Sequence, residues 1–158
     1  MSRFVYMSRE GIEKLKTDLK RLIEVEQPKI SEKLEIAREH GDLSENAEYD
    51  AAKEEMSMLQ SRIIRLQDTL SRAQIFDPKG LEPDEISMLS TVELKDLKRK
   101  KNVTYTLVSA EETDIDNNRI SVQSPVGKAL IGKRVGDEVT VEVPAGILQF
   151  KILSNKRD

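Results

Sequence analysis

The chain contains no cysteine, which excludes disulfides, thiolate metal sites and cysteine nucleophiles and leaves the redox compartment open. It contains no tryptophan and only three tyrosines and three phenylalanines, too few to line a deep aromatic ligand pocket. The single histidine, His40, cannot build an imidazole metal site and reads as a loop residue. No apolar run approaches the ~20 residues needed to cross a bilayer. The opening MSRFVYMSRE lacks the apolar core of a secretory signal. The expectation is a cytoplasmic protein with no membrane partner. A basic excess is missing too. The formal net charge is −3, whereas a free-standing nucleic-acid binder usually carries a positive surplus. Any nucleic acid near this chain is therefore expected to be held by something else.

What the chain has in quantity is charge. Charged residues make up 35% and hydrophobic residues 37% of 158 positions, a balance that suits long solvated helices better than one thick core. The length fits one medium domain or two small ones. Ala52, Met56, Leu59, Ile63, Leu66, Leu70 and Ala73 repeat at alternating four- and three-residue steps, a heptad seam with no proline or glycine inside it. Upstream, Ile12, Leu15, Leu19 and Leu22 follow the same rule. The phase then slips, and Leu19, Ile23, Ile30, Leu34 and Ala37 read as the better continuation, with Pro28 a point where the helix can kink. Ser8 is a plausible N-cap and Gly41 a C-terminal cap. Two seams joined by a short connection predict an antiparallel helical hairpin over residues 1–76, a rod of roughly 45 Å at 1.5 Å per residue.

Residues 77–86 hold two prolines and a glycine and read as a linker. The remainder, 87–158, changes to short alternating runs. Strands are expected over Val92–Leu97, Val103–Val108, Arg119–Gln123, Glu138–Val143 and Ile147–Leu153. A short helix capped by Ser124, with Pro125 in its first turn, is expected to end near Gly132. The fold class is α+β: a coiled-coil hairpin followed by a small antiparallel sheet with one helix.

Charge is focused where the hairpin turns. Between Glu39 and Glu55 lie seven acids and one base, a formal −6 in 17 residues, while the flanking shaft is mildly basic. Asp42 and Glu45 fit two uses. Asp-x-x-Glu before a helix resembles a capping box, with acids favoured by the helix dipole. The same carboxylates are hard oxygen donors suited to Mg²⁺, which is commonly held by one or two carboxylates together with substrate phosphates. A second charge feature is the basic run Lys95, Lys98, Arg99, Lys100 and Lys101 at an expected turn, read either as a solvated turn or as a surface for an acidic partner or RNA.

Two segments carry a resemblance. Ala37-Arg38-Glu39-His40-Gly41-Asp42-Leu43-Ser44-Glu45-Asn46-Ala47-Glu48-Tyr49-Asp50-Ala51-Ala52 resembles the tip motif of the bacterial Gre family of transcript-cleavage factors. Ile120-Ser121-Val122-Gln123-Ser124-Pro125-Val126-Gly127-Lys128-Ala129-Leu130-Ile131-Gly132-Lys133 resembles that family's C-terminal signature. The resemblance implies a stimulator of RNA polymerase rather than an enzyme. The coiled coil would enter the polymerase secondary channel and act on the 3′ end of backtracked RNA. Asp42 and Glu45 would help hold a catalytic Mg²⁺ shared with the polymerase and not bound by this chain alone. Asn46, Glu48 and Tyr49 would support the tip or orient substrate. Ser124, Pro125 and Gly132 would belong to the polymerase-docking surface of an FKBP-like C-terminal domain. With only Tyr105 and Phe150 as aromatics in that half, prolyl-isomerase activity is not expected.

Overall fold

Apolar residues three and four apart share one face of a helix, and that face must be covered by another. The computed structural model describes residues 3–41 and 46–157. By their contacts the residues form two units, Met1–Val5 with Ile12–Ala73, and Tyr6–Gly11 with Gln74–Asp158. The second unit thus recruits a piece of the N-terminal region that the sequence assigns to the hairpin.

The first unit is a helical hairpin. One arm runs through α1 (Arg9–Arg21), a π-helical turn (Leu22–Glu26) and α2 (Gln27–Glu39); the other is α3 (Ala47–Arg72). The arms are antiparallel. Leu22 and Ile30 cluster with Leu59 and Ile63, Lys33 Nζ meets a Glu55 carboxylate oxygen at 3.2 Å, and Arg72 reaches the Arg3 carbonyl at 3.2 Å. The seam of α3 follows expectation through Ala52, Leu59 and Ile63, although near its end Thr69 is more deeply buried than Leu70.

The π turn corrects the expected seam of the first arm. Leu22 is buried at 5% exposure, whereas Ile23 is 39% exposed. The heptad therefore continues through Leu22 and resumes at Ile30 eight residues later. The extra residue is absorbed where the Gln27 N–H donates to the Leu22 carbonyl, five residues back. Pro28 supplies the cause. It has no N–H to give to a carbonyl four residues earlier, and its ring would collide with that carbonyl. A widened turn accommodates both problems, and π turns are a recognised solution. Arg21 and Glu26 pair across the turn at 3.6 Å.

β1 (Val5–Met7) and β2 (Ala73–Ile75) form a two-stranded sheet, and the Phe76 N–H donates to the Met7 carbonyl at 2.9 Å. β3 (Ser90–Asp96), β4 (Lys101–Val108), β5 (Arg119–Ser121), β6 (Glu138–Val143) and β7 (Gly146–Arg157) form a five-stranded sheet in the order β5-β4-β3-β7-β6. All its pairings are antiparallel except β4 with β5. Two short 3₁₀ turns, Ala110–Glu112 and Ile115–Asn117, bring the chain back to start β5 in the direction of β4. Alternation along β6 buries Val139 and Val141 and exposes Glu138, Thr140 and Glu142. The buried face joins Val92, Leu94, Leu107, Phe150 and Ile152 under Leu130 of α4 (Pro125–Leu130). Each such fully buried side chain contributes about 1.5–3 kcal/mol. The segment read as a linker is strapped down at its end. Arg134 bonds Glu82 at 2.9 Å and Asp84 at 2.8 Å, and Asn155 donates to the carbonyls of Pro83 and Glu85.

Candidate functional site: the hairpin tip and the C-terminal signature

A hairpin end must satisfy the last carbonyls of one helix and the first N–H groups of the next. Here Asn46 serves both. Its side-chain oxygen accepts from the Tyr49 N–H at 3.1 Å as the N-cap of α3, while its amide donates to the Ala37 carbonyl at 2.5 Å. The capping of α3 is thus supplied by Asn46, four residues beyond Asp42. His40 is the C-cap of α2, and Gly41 follows with φ +120°, a backbone state that favours glycine. Asp42 and Glu45 themselves lie outside the described residues.

Around this knot the side chains are paired. Glu48 meets His40 Nδ1 at 2.9 Å. Arg38 and Lys53 each lie over the Tyr49 ring, at 5.9 Å and 5.6 Å from its centroid, a geometry in which a ring face is attractive to positive charge. Glu48 is thus paired with His40 and is not an unengaged carboxylate. Among the described residues no three of His, Asp or Glu converge as a metal-binding group.

The second motif lies at α4. Ser124 Oγ accepts from the Gly127 N–H at 3.1 Å and donates to the Ser121 carbonyl at 2.6 Å. Pro125 follows at the first turn, exposed. Gly132, at φ +82°, donates its N–H to the Ile86 carbonyl at 2.9 Å. Gly127 is the residue that inspection of the sequence alone passes over. A Cβ there would sit 2.1 Å from the Ser121 carbonyl oxygen, so only glycine lets α4 approach β5 this closely. Beside the motif is an apolar recess of about 560 Å³, bounded by Phe76, Leu81, Ile86, Met88, Val122 and Ile131 among others. Its one aromatic is Phe76; Phe150 is buried in the sheet core.

Both motifs match known families. The model described as "Transcription elongation factor, N-terminal" matches residues 5–75. The one described as "Transcription elongation factor, GreA/GreB, C-term" matches residues 81–157. The chain is 51% identical over 153 residues to the transcription elongation factor GreA of Chlorobium phaeovibrioides, covering 96% of each. It is 48% identical to that of Chloroherpeton thalassium over 99% of each. The chain belongs to the GreA/GreB family of transcription elongation factors. A solved structure with 32% identity, GreA factor homolog 1 of Thermus thermophilus, aligns over 98% of this chain and 99% of its own with a TM-score of 0.45. In this GreA/GreB-family chain the tip motif and the C-terminal signature occupy different units: the first lies where α2 gives way to α3, the second on α4 and its flanks.

Proposed function

We propose that this chain stimulates the cleavage of backtracked RNA by RNA polymerase, with its hairpin inserted in the secondary channel and its tip at the polymerase active site. The observation that carries the reading is the formal −6 charge of residues 39–55, placed at the end of a hairpin whose arms are tied together by Asn46. Family membership supports it, since the relatives are elongation factors.

In this reading Asp42 and Glu45 present carboxylate oxygens to a Mg²⁺ that the polymerase also ligates. Two carboxylates are hard donors of the right kind and too few for a tight private site. When bound, the metal polarises the scissile phosphate and lowers the pKa of a coordinated water. The chain's own residues do the positioning. Asn46 fixes the start of α3, Glu48 pairs with His40, and Arg38 and Lys53 lie over the Tyr49 ring. The chain acts as a stimulator, and the polymerase supplies the remaining catalytic groups. Ser124, Pro125 and Gly132, beside the apolar recess, form the docking surface.

The test is a stalled, backtracked polymerase complex with labelled RNA, across a Mg²⁺ titration. Wild-type chain is expected to accelerate 3′-end cleavage. Asp42→Ala/Glu45→Ala is expected to bind polymerase equally and lose the acceleration. A wild type that binds yet slows cleavage would instead mark a channel-blocking factor.

A further inference from the structure

We propose that Met88 is a modification site: a hydroperoxide oxidises its thioether to the sulfoxide, and the added oxygen weakens docking through the apolar recess. The inference rests on the reading of that recess as part of the polymerase-docking surface.

The chain has no cysteine, so its sulfur chemistry with oxidants falls to five methionines. Met1 lies outside the described residues. Met7 is fully buried. Met56 packs against the hairpin cluster of Leu22, Ile30, Leu59 and Ile63. Met58, on α3, is 67% exposed, so an oxygen added there stays in water. Met88 differs from all of these. It is half-buried and forms part of the wall of the recess.

The backbone holds it there under strain. Residues 87–90 make a turn closed by the Ser90 N–H on the Ser87 carbonyl at 3.1 Å. Its third residue, Leu89, has φ +70°, a left-handed state that glycine normally supplies at this position. Ser90 is fully buried, and its Oγ accepts from the Ser87 N–H at 3.0 Å. The Leu89 N–H donates to the Leu107 carbonyl at 2.7 Å, tying the turn to β4. Strain of this kind persists only where surrounding structure enforces it, and the side chain carried at the second position of the turn is Met88.

The chemistry is an oxygen transfer. The sulfur lone pair attacks the outer oxygen of the hydroperoxide, and the S–O bond forms as the O–O bond breaks. The proton of that oxygen passes to the departing one, which leaves as water or an alcohol. Sulfur loses two electrons and the peroxide gains them. A flexible apolar side chain becomes a polar one, and sulfoxide reductases reverse the change. Phe76, Leu81, Ile86, Val122 and Ile131 offer the new oxygen no donor from their side chains. The adjacent Ser87 hydroxyl already donates to the Met88 carbonyl at 3.0 Å. A partner that covers the recess therefore buries an unpaired polar oxygen, which opposes association.

The experiment treats the full chain with graded hydrogen peroxide and locates sulfoxides by peptide mass spectrometry. Each sample is then titrated into the backtracked polymerase complex. Met88→Leu and Met58→Leu are treated in parallel, each compared with its own untreated sample. In wild type, Met58 and Met88 are expected to convert and Met7 to stay reduced. Half-maximal cleavage is expected to require about tenfold more treated than untreated chain, the effect of burying one unpaired polar group. The maximal rate is expected to hold, because residues 39–55 contain no methionine. Methionine sulfoxide reductases are expected to restore the original titration. Met58→Leu should respond to peroxide as wild type does, and Met88→Leu should not respond. The inference is overturned if Met88 stays reduced at doses that convert Met58, if its conversion leaves the half-maximal concentration in place, or if Met88→Leu responds like wild type. An untreated wild type that fails to act on the complex overturns the docking reading, and the inference with it.

Discussion

At the scale of single residues, two glycines are defined by what crowds them. Gly127 faces the Ser121 carbonyl oxygen at a distance no Cβ tolerates. Gly127→Ala is expected to lower stability by about 1–3 kcal/mol, the usual range for overpacking, read as a drop in the denaturation midpoint. Gly11 is different. It occupies the third helical position after the N-cap Ser8, whose Oγ accepts from the Gly11 N–H at 2.9 Å. A capping box would put glutamate at this position to accept from the N-cap N–H. Instead that carboxylate comes from Glu112, 104 residues away, which accepts from both the N–H and the hydroxyl of Ser8 and from Ser109. A Cβ on residue 11 would collide with the Glu112 carboxylate. Glu112→Ala is expected to cost about 1–2 kcal/mol, as for a lost cap, measured by urea denaturation. Glu112→Gln, which still accepts a hydrogen bond, should recover part of the loss.

At the scale of elements, the π turn in the first arm sets the register of the whole hairpin. With Pro28 as its cause, deleting Val25 alone should restore a continuous seven-residue step from Leu22 to Ile30 while forcing the proline ring against a carbonyl. That conflict is expected to cost about 3 kcal/mol or more. The same deletion combined with Pro28→Ala should recover most of the stability. Thermal melts of the two variants, followed by far-ultraviolet circular dichroism, decide the point; equal melts would assign the turn another origin. At the other end of the hairpin, Asn46→Ala removes a cap and a bond to Ala37 together. It is expected to cost roughly 1–2 kcal/mol and to reduce cleavage stimulation, with polymerase binding retained.

At the scale of the molecule, the chain divides by contacts rather than by sequence position. Met7 is fully buried and belongs to the unit that otherwise begins at Gln74. Met7→Ala is therefore expected to destabilise the C-terminal sheet, by about 2–5 kcal/mol, although the residue stands near the start of the chain. Hydrogen exchange checks this: protection should fall at Leu94, Leu107 and Ile152 and hold at Leu59 and Ile63.

Sequence alone determined the seam of α3 through Ala52, Leu59 and Ile63, the acidic concentration at 39–55, the strand periodicities, the α4 start at Ser124-Pro125 and the family. Each is written in local spacing or in a contiguous motif, and the physics that reads it acts over a few residues. The tertiary structure decided what depends on neighbours distant in the chain. Leu22 rather than Ile23 faces the other arm because Pro28 forces an extra residue into the turn. Asn46 takes the capping position because α3 begins at Ala47, and Glu112 completes a cap that begins at Ser8. The parallel pairing of β5 with β4 likewise exists only once the strands are set side by side. Residue spacing carries information about one helix or one strand; which carboxylate, ring or lysine a side chain meets is set by how those elements pack.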